Sequence, residues 1–511
     1  MSDNIKRALI SVWDKTGLEE LALMLHGGGV ELVCTGGTAE YIEALGVPVT
    51  SVETITGQGS LMDGRLKTLD TSIFGAILAD LDDANHLADL NTLGQAPIDL
   101  VVVNLYPFKA MEAKGLNPDK LVEYIDIGGP SLLRAAAKNH RHVVTLSDPG
   151  QYARFQRLYR EREGDIPLGY RSEMAVEVFR LTSSYDGQIG HALGPAEGDL
   201  PTSLNIAAEL AQPLRYGENP HQRAGFYLGP GEAAPWRALH GKALSYNNYA
   251  DLETAARVVV GFEQPAAVII KHANPCGFGL GAGPEQAYRR ALRTDPVSSF
   301  GGTAGFNRPV DEGAAGALSE IFLECVIAPS FEDAALAVLT RKKNLRLLEG
   351  SFALEAPPRW EVRSVAGGYL VQERDGSGDE EAWEVVSKRE PSAVEMQSMR
   401  LGWKMVKFVK SNAVVMAGRD RMLGVGAGQM SRVDAVILAG LKAARADLNL
   451  SGAAMASDAF FPFPDGVAEA AKLGVTAVIQ PGGSVRDEEV IATADEYNLA
   501  MLMTHTRHFR H

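Results

Sequence analysis

The chain has 511 residues, with 49 Lys and Arg against 64 Asp and Glu, for a formal net charge of −15. Its length predicts about two to four compact units, and 46% hydrophobic with 22% charged residues is the composition of a folded globular protein. Apolar runs fall short of the roughly 20 residues that cross a bilayer, and so acidic a chain lacks the broad basic face of a nucleic-acid binder, which excludes membrane and nucleic acid as partners.

Strand and helix signals alternate through the first 150 residues. Ala8 to Trp13 reads as a strand, Leu18 to His26 as a helix and Val30 to Cys34 as a strand. Thr35-Gly36-Gly37-Thr38 then opens a helix over Ala39 to Leu45, followed by Val47 to Val52. Leu100 to Asn104 is a β-branched run of the buried parallel type, Ser131 to Asn139 a helix and His142 to Leu146 the next strand. The reading is α/β, a doubly wound parallel sheet. Tyr152 to Arg162 and Glu173 to Ser184 follow as helices, and the Gly- and Pro-containing stretch Gly194 to Ser203 predicts a boundary near residue 200.

Alternation then restarts. Ala266 to Ile270, Gly302 to Phe306 and Val326 to Ala328 read as strands, Glu285 to Leu292 as a helix and Gln372 to Glu381 as an acidic surface loop. A last strand, helix and strand run through Val475 to Gln480, Val485 to Tyr497 and Leu499 to Met503, with Gly482-Gly483-Ser484 as a second turn suited to an anion. No repeat at a fixed period is visible. Cys34, Cys276 and Cys325 are too few and too far apart for a disulfide framework or a thiolate metal site. The apolar stretch after Lys6 and Arg7, about six residues, is shorter than a signal peptide requires, so a reducing, cytoplasmic location is expected.

Several segments carry polar groups at predicted strand ends. The tetrad at 35–38 is either a capped turn or, with Arg65 and Lys67 of Asp63-Gly64-Arg65-Leu66-Lys67-Thr68, a phosphate nest. Tyr106 follows the Leu100 strand, where ligands of open α/β sheets sit, and Asp126-Ile127-Gly128-Gly129 precedes a helix bearing Arg134 and Lys138. Lys271-His272-Ala273-Asn274-Pro275-Cys276-Gly277 offers an imidazole beside an ammonium, an acid/base pair in a binding loop or a structural donor in the bland reading. A zinc deaminase motif is rejected because position 279 is Gly and no H-x-E precedes it. Leu214 to Gln222 packs Arg215, Tyr216, Asn219 and His221 into one loop; Phe300 and Phe460 offer aromatic faces to a flat heterocycle, or core packing. Gly424-x-Gly426-x-Gly428 matches a dinucleotide fingerprint only loosely.

From Ser11-Val-Trp-Asp-Lys-Thr-Gly to the closing Arg507-His-Phe-Arg-His511, with LRYGENPHQ, KHANPCG, DPVSSFGG and SDAFFPFPDG between, the chain resembles the bifunctional purine-synthesis family that joins AICAR transformylase to IMP cyclohydrolase. The resemblance implies a methylglyoxal-synthase-like doubly wound sheet of about 1–150 within a cyclohydrolase domain of 1–195. A transformylase domain of 200–511, built of cytidine-deaminase-like α/β subdomains without zinc, would follow. It implies a homodimer, AICAR, formyl-AICAR and IMP as ligands, 10-formyltetrahydrofolate as co-substrate and no metal. By resemblance His272 is the base, Lys271 and Asn412 assist, and Arg215, Tyr216 and Arg507 hold the nucleotide, with Phe460 and Asp465 near the folate; Phe300 counts as a substrate-binding residue through its aromatic face. Lys67, Tyr106, Asp126 and Lys138 would handle protons in ring closure, and Lys15, Thr35, Gly37, Thr38, Arg65 and Thr68 would hold phosphate and ribose.

The chain departs from the family pattern in its first domain. Asp70 and Phe74 stand where histidines are usual, Trp13 where a small Ser is usual and Asp80 where Arg is usual. The new carboxylates would weaken a local positive field, and Trp13 would crowd a phosphate site. The alternative is therefore a transformylase whose first domain is a degenerate or regulatory nucleotide-binding module.

Overall fold

The computed structural model describes residues 4–59, 61–62, 65–194, 200–350, 360–376 and 380–511. It divides into two compact units, up to Ala208 and from Glu209 onward. Asp63, Gly64 and part of the predicted boundary, 195–199, lie outside the described residues, as does 377–379 of the predicted acidic loop.

Unit 1 is built on a parallel sheet of β1 (Arg7–Val12), β2 (Glu31–Cys34), β3 (Thr50–Ser51), β4 (Leu100–Asn104) and β5 (Val144–Leu146), in the order β3-β2-β1-β4-β5. Strand order reverses between β1 and β4, so a crevice opens beyond their carboxyl ends. The helices that matter for the site are α1 (Leu18–Gly27), α2 (Gly36–Glu43), α3 (Thr71–Leu78), α4 (Gly128–Lys138) and α5 (Leu168–Ala192). The predicted helix after the 35–38 turn begins earlier than expected, with both glycines inside its first turn. The one predicted from Glu173 extends in both directions.

Unit 2 begins with a hairpin of β6 (Glu209–Leu214) and β7 (Ala224–Leu228) and holds two six-stranded sheets. The first runs β8 (Arg237–His240), α6 (Tyr246–Val260), β9 (Ala266–Lys271), β10 (Asn274–Leu280), α7 (Pro284–Thr294), β11 (Gly302–Phe306), α8 (Glu312–Ser319), β12 (Leu323–Ala328), α9 (Asp333–Leu339) and β13 (Arg346–Glu349). A two-stranded arm, β14 (Trp360–Val365) and β15 (Gly368–Glu373), follows. The second sheet runs β16 (Glu384–Val385), α10 (Ala393–Val406), β17 (Val414–Ala417), β18 (Met422–Gly426), α11 (Arg432–Arg445), β19 (Ala454–Ser457), α12 (Asp465–Lys472), β20 (Ala477–Gln480), α13 (Asp487–Glu496) and β21 (Ala500–Met503).

These two sheets share one topology. Their strand orders are β10-β9-β11-β12-β13-β8 and β18-β17-β19-β20-β21-β16, each with one antiparallel hairpin, three parallel strands and an antiparallel edge strand. The sequence shows no fixed period because loop lengths differ: β9 and β17 start 414 − 266 = 148 residues apart, β13 and β21 start 500 − 346 = 154 apart. The same glycine pair survives in both halves. A Cβ on Gly277 or Gly279 would strike the Ala291 or Ala287 carbonyl of α7 at 2.0 or 2.5 Å, and one on Gly426 or Gly424 the Ala435 or Ala439 carbonyl of α11 at 2.0 or 2.3 Å. The loose dinucleotide fingerprint is thus a strand packed hard against its helix.

The central helices α6 and α10 share one core, with Leu252, Ala255 and Val259 alongside Met399, Trp403 and Val406 and strands of both sheets. The acidic segment from Gln372 starts inside β15 rather than in a loop. The three cysteines are buried, which pushes their thiols up to about 12, so they stay protonated. Among the described residues no helix is long and apolar enough to cross a membrane.

Candidate functional site

In unit 1 glycines make the room. The first N–H groups of α2, on Gly36 and Gly37, have no intrahelical acceptor and point beyond the carboxyl end of β2. A Cβ on Gly36 would stand 3.7 Å from Lys67 Nζ, so that ammonium lies at the helix start. A Cβ on Gly128 would meet Thr68 Oγ1 at 3.0 Å, and one on Gly129 would meet Asp126 Oδ2 at 2.4 Å. Asp126 accepts from Gly129 N–H at 2.8 Å and from the Tyr106 N–H, while its own N–H donates to Tyr185 Oη at 2.8 Å. Burial raises the Asp126 carboxyl above the carboxylate range; burial and then the Asp126 charge raise the Tyr106 phenol. Lys67, Thr68, Tyr106 and Asp126 therefore gather around the starts of α2 and α4.

Other expected residues behave differently. Thr38 Oγ1 accepts from Val12 N–H at 3.1 Å and donates to its carbonyl at 3.2 Å, so this buried hydroxyl ties α2 to β1 instead of facing a ligand. Thr35 Oγ1 donates to Ser11 Oγ at 2.8 Å, and Arg65 pairs with Glu123 at 2.5 Å on the surface. Lys138, exposed, closes the last turn of α4, about 15 Å by helical rise from the Gly128 start of that helix. Asp80 also lies beyond the far end of α3 and pairs with His142 Nε2 at 2.9 Å. The expected weakening of the site's field by Asp80 is thereby corrected. Asp70 is the N-cap of α3, accepting from Ser72 N–H at 2.7 Å, and Phe74 packs into the core.

Trp13 is half exposed and meets Tyr106 edge-on at 5.0 Å. Its N–H and that of Asp14 donate to Asn104 Oδ1 at 2.6 and 2.9 Å, which fixes the end of β1 against that of β4. With Lys15, Lys109, Asp148 and Tyr185 these residues line a cavity of about 660 Å³ at the point where strand order reverses.

In unit 2 the hairpin β9–β10 closes in two residues. Lys271 pairs with Asn274, and both residues of the turn, His272 (φ 53°) and Ala273 (φ 57°), are left-handed. Such turns favour Asn-Gly, and neither residue here is Gly, so the conformation is held from outside. His272 is exposed. Lys271 Nζ donates to the carbonyls of Phe300 and Gly301 at 2.8 and 3.1 Å, leaving one of its three N–H donors uncommitted to them. Phe300 itself is 62% exposed and leans on Phe322.

The turn is tied to the second sheet. Asn274 Nδ2 donates to the His272 carbonyl at 3.1 Å, and its Oδ1 accepts from Lys410 N–H at 2.9 Å. Asn412, two residues on, offers Oδ1 to Arg432 at 2.8 Å and donates from Nδ2 to the Met430 carbonyl at 3.2 Å. Arg432 is buried; it donates to Ser457 Oγ at 2.7 Å and pairs with the fully buried Asp458. Asp458 in turn accepts at its carbonyl from His508 N–H, 2.9 Å away. Asn412, Phe460 and Arg507 thus stand along one edge of the second sheet, at the start of β17 and just beyond the carboxyl ends of β19 and β21. Asp465, exposed, opens α12 after β19 and accepts from Gly466 N–H at 2.8 Å.

Helix α6 joins the remaining loop. Asn247 Nδ2 donates to the Glu218 carbonyl at 3.3 Å, and Asp251, four residues on and so on the same face, accepts from Ala273 N–H at 2.7 Å. The loop bearing Arg215, stacked on Tyr216 at 5.3 Å, lies about one helical turn from the His272 turn. The second glycine turn expected to hold an anion is already filled: Gly483 and Ser484 N–H both donate to Asp487 Oδ2, at 2.7 and 3.1 Å. Asp251, Asn274, Arg432 and Asp458 escaped the sequence reading because only the pairing of separate elements brings them to the site.

An α/β chain with one parallel sheet and one duplicated mixed-sheet unit, each edged with polar groups, is the class that fold and geometry define. Residues 17–131 match the MGS-like domain family and residues 136–442 the AICARFT/IMPCHase bienzyme family. A relative from Bacillus cereus (strain AH820), named "Bifunctional purine biosynthesis protein PurH", is 48% identical over 516 residues, covering 99% of this chain and all of that one. A solved structure titled "Crystal structure of ForH" is 33% identical over 37% of this chain and 98% of its own, with a TM-score of 0.34. The chain belongs to the AICARFT/IMPCHase bienzyme family.

Proposed function

We propose that this chain performs the last two steps of IMP synthesis. The formyl group of 10-formyltetrahydrofolate passes to AICAR in unit 2, and formyl-AICAR loses water and closes to IMP in unit 1. A relative named as bifunctional that aligns with the whole chain supports two activities over a transformylase with a regulatory first unit.

In unit 2 the 5-amine nitrogen attacks the formyl carbon. His272 takes the amine proton, the carbon–N10 bond breaks, and N10 of the folate regains a proton. The uncommitted N–H of Lys271 and the amide of Asn412 steady the oxygen as it gains charge. Arg215, Tyr216 and Arg507 hold the nucleotide, and Phe300, Phe460 and Asp465 flank the pterin. In unit 1 the carboxamide nitrogen attacks the formyl carbon of the same molecule, so holding the reactive rotamer supplies much of the rate, on the order of 7 to 11 kcal/mol for well-oriented intramolecular reactions. Lys67, Tyr106 and Asp126 move the protons that accompany loss of water. Lys15, Thr35, Arg65, Thr68 and the Gly36–Gly37 N–H groups hold phosphate and ribose. The protein works as a homodimer in the cytoplasm.

The observation that carries this reading is the exposed imidazole of His272 on a turn tied by Asn274 to the Asn412 loop. In the full chain, His272→Ala should lower formyl transfer by about 10² to 10⁴ and leave closure of supplied formyl-AICAR unchanged. Lys67→Ala should do the reverse, with IMP formation followed by ultraviolet absorbance. Loss of both activities in either variant refutes the two-site assignment.

A further inference from the structure

We propose that Asp251 is the positioning residue for His272: its carboxylate, accepting from the Ala273 N–H at 2.7 Å, holds the two-residue turn that presents the imidazole. The inference rests on His272 being the base of formyl transfer. Positive φ at two consecutive residues with side chains is a conformation the local sequence does not favour, so contacts outside the turn must select it. Three groups reach it. Lys271 is anchored by the carbonyls of Phe300 and Gly301, and the His272 carbonyl by Asn274 Nδ2, but both act on the flanks or outer side of the turn. Asp251 alone among these takes the N–H of the second left-handed residue.

Its place on α6 makes it a rigid brace. The helix is packed into the shared core through Leu252 and Ala255, the two neighbours that follow Asp251 on the buried side. Its first turn is closed by a reciprocal cap in which Asn248 Oδ1 accepts from Ser245 N–H at 3.0 Å and Ser245 Oγ from Asn248 N–H at 3.3 Å. One turn before Asp251, Asn247 holds the Arg215 loop by the Glu218 carbonyl. A single helix face therefore spaces the base from the loop proposed to hold the nucleotide. Burial lifts the Asp251 carboxyl above the usual range, opposed by the Ala273 N–H and by the charges of His272 and Lys271, with Glu324 adding to the rise.

The test uses four full-length variants. Asp251→Asn keeps an oxygen for the Ala273 N–H and should retain formyl transfer within about threefold of wild type. Asp251→Ala removes the brace and should lower kcat about 100-fold with KM for AICAR nearly unchanged, the size of effect expected when a reacting group is misplaced by about 1 Å. Ala273→Gly frees the second turn position from its need for support; added to Asp251→Ala, it should recover at least a tenth of the wild-type kcat. Ring closure in every preparation reports whether the rest of the chain is intact. If Asp251→Ala keeps kcat within threefold, if Asp251→Asn falls as far as Asp251→Ala, or if Ala273→Gly gives no recovery, the brace is refuted. Should Asp251→Ala not fold, the Asn variant and the single Ala273→Gly variant, expected to be active, decide it. His272→Ala run alongside separates this failure from that of the underlying reading, since only the latter leaves His272→Ala active.

Discussion

Unit 1 and unit 2 gather their polar groups by opposite means. Around α2 and α4 the backbone lacks side chains: Thr68 and Asp126 take up space where Cβ atoms on Gly128 and Gly129 would stand, and Lys67 lies beside Gly36. Around the His272 turn the backbone is strained, and side chains hold it: Asp251 and Asn274 at the turn, Arg432 and Asp458 behind Asn412. A reaction within one bound molecule asks mainly for a close-fitting cradle. A transfer between two molecules asks for a base and an oxyanion partner at fixed separation. The two constructions suit those two demands, and they should fail differently.

The largest effect on stability should come from the buried pair of unit 2. Arg432→Leu leaves Asp458 fully buried without its cation, and Asp458 Oδ2 already has no hydrogen-bond partner among the described residues. Breaking one side of such a pair costs about 3 to 5 kcal/mol. Asn412 loses the hydrogen bond at its Oδ1 in the same change and keeps only the one from Nδ2 to the Met430 carbonyl. Denaturant unfolding should show a lowered midpoint for unit 2, with formyl transfer falling further than ring closure. Equal loss of both activities would mean that the pair serves general stability and nothing more local.

Acid should separate the units next. Glu395 closes the first turn of α10, accepting from Ser392 N–H at 2.8 Å, and pairs with Arg389 at 2.7 and 2.9 Å. The Arg389 hydrogen bonds, working against burial, hold its carboxyl at about 2, from an ordinary 4.5. Because the folded value is depressed, the stabilisation is complete above the unfolded value and is lost as pH falls from 4.5 toward 2. The shift is 4.5 − 2 = 2.5, or about 3 kcal/mol. Glu395→Gln should be less stable at pH 7 by about that amount and should lose less on acidification than wild type. Parallel acid curves for the two proteins would rule the linkage out.

The contrast also explains what could be read in advance. The parallel sheet of unit 1 was legible because Leu100 to Asn104 and its neighbours are apolar runs separated by glycine turns. That Lys271 ends a strand and His272 opens the turn after it was legible because a charged pair closes the apolar run Ala266 to Ile270, while the roles of the two residues came only from the family resemblance. Thr38 was misplaced by the same logic: a hydroxyl after a glycine pair suits a phosphate in sequence, and only the pairing of α2 with β1 shows it spent on Val12. Lys138 was grouped with Lys67, Tyr106 and Asp126 by resemblance alone; helical rise puts it about 15 Å from the Gly128 end of α4, a separation that the sequence motif does not display. The duplication within unit 2 stayed hidden because insertions shift the offset while topology is retained. Asp251 gave no signal, being one carboxylate among several on an ordinary amphipathic helix.

The smallest expected effect tests the cradle of unit 1 directly. A Cβ at position 129 would stand 2.4 Å from Asp126 Oδ2 and 2.8 Å from Leu105 Cδ2, both closer than real Cβ contacts allow. Gly129 is helical, with no left-handed φ, so Gly129→Ala carries no backbone penalty and helix propensity favours it. The cost falls on Asp126, whose carboxyl must leave the Gly129 N–H or rotate. Ring closure should drop by about 10²-fold, since a displacement near 1 Å at a reacting group has that effect, while formyl transfer stays at the wild-type level. In unit 2 the corresponding change, alanine at Gly277, would press on an α7 carbonyl instead of a functional side chain and lower stability rather than one activity. If Gly129→Ala left closure intact, Asp126 would not be held where the reaction needs it, and unit 1 would owe its activity to Lys67 and Tyr106 alone.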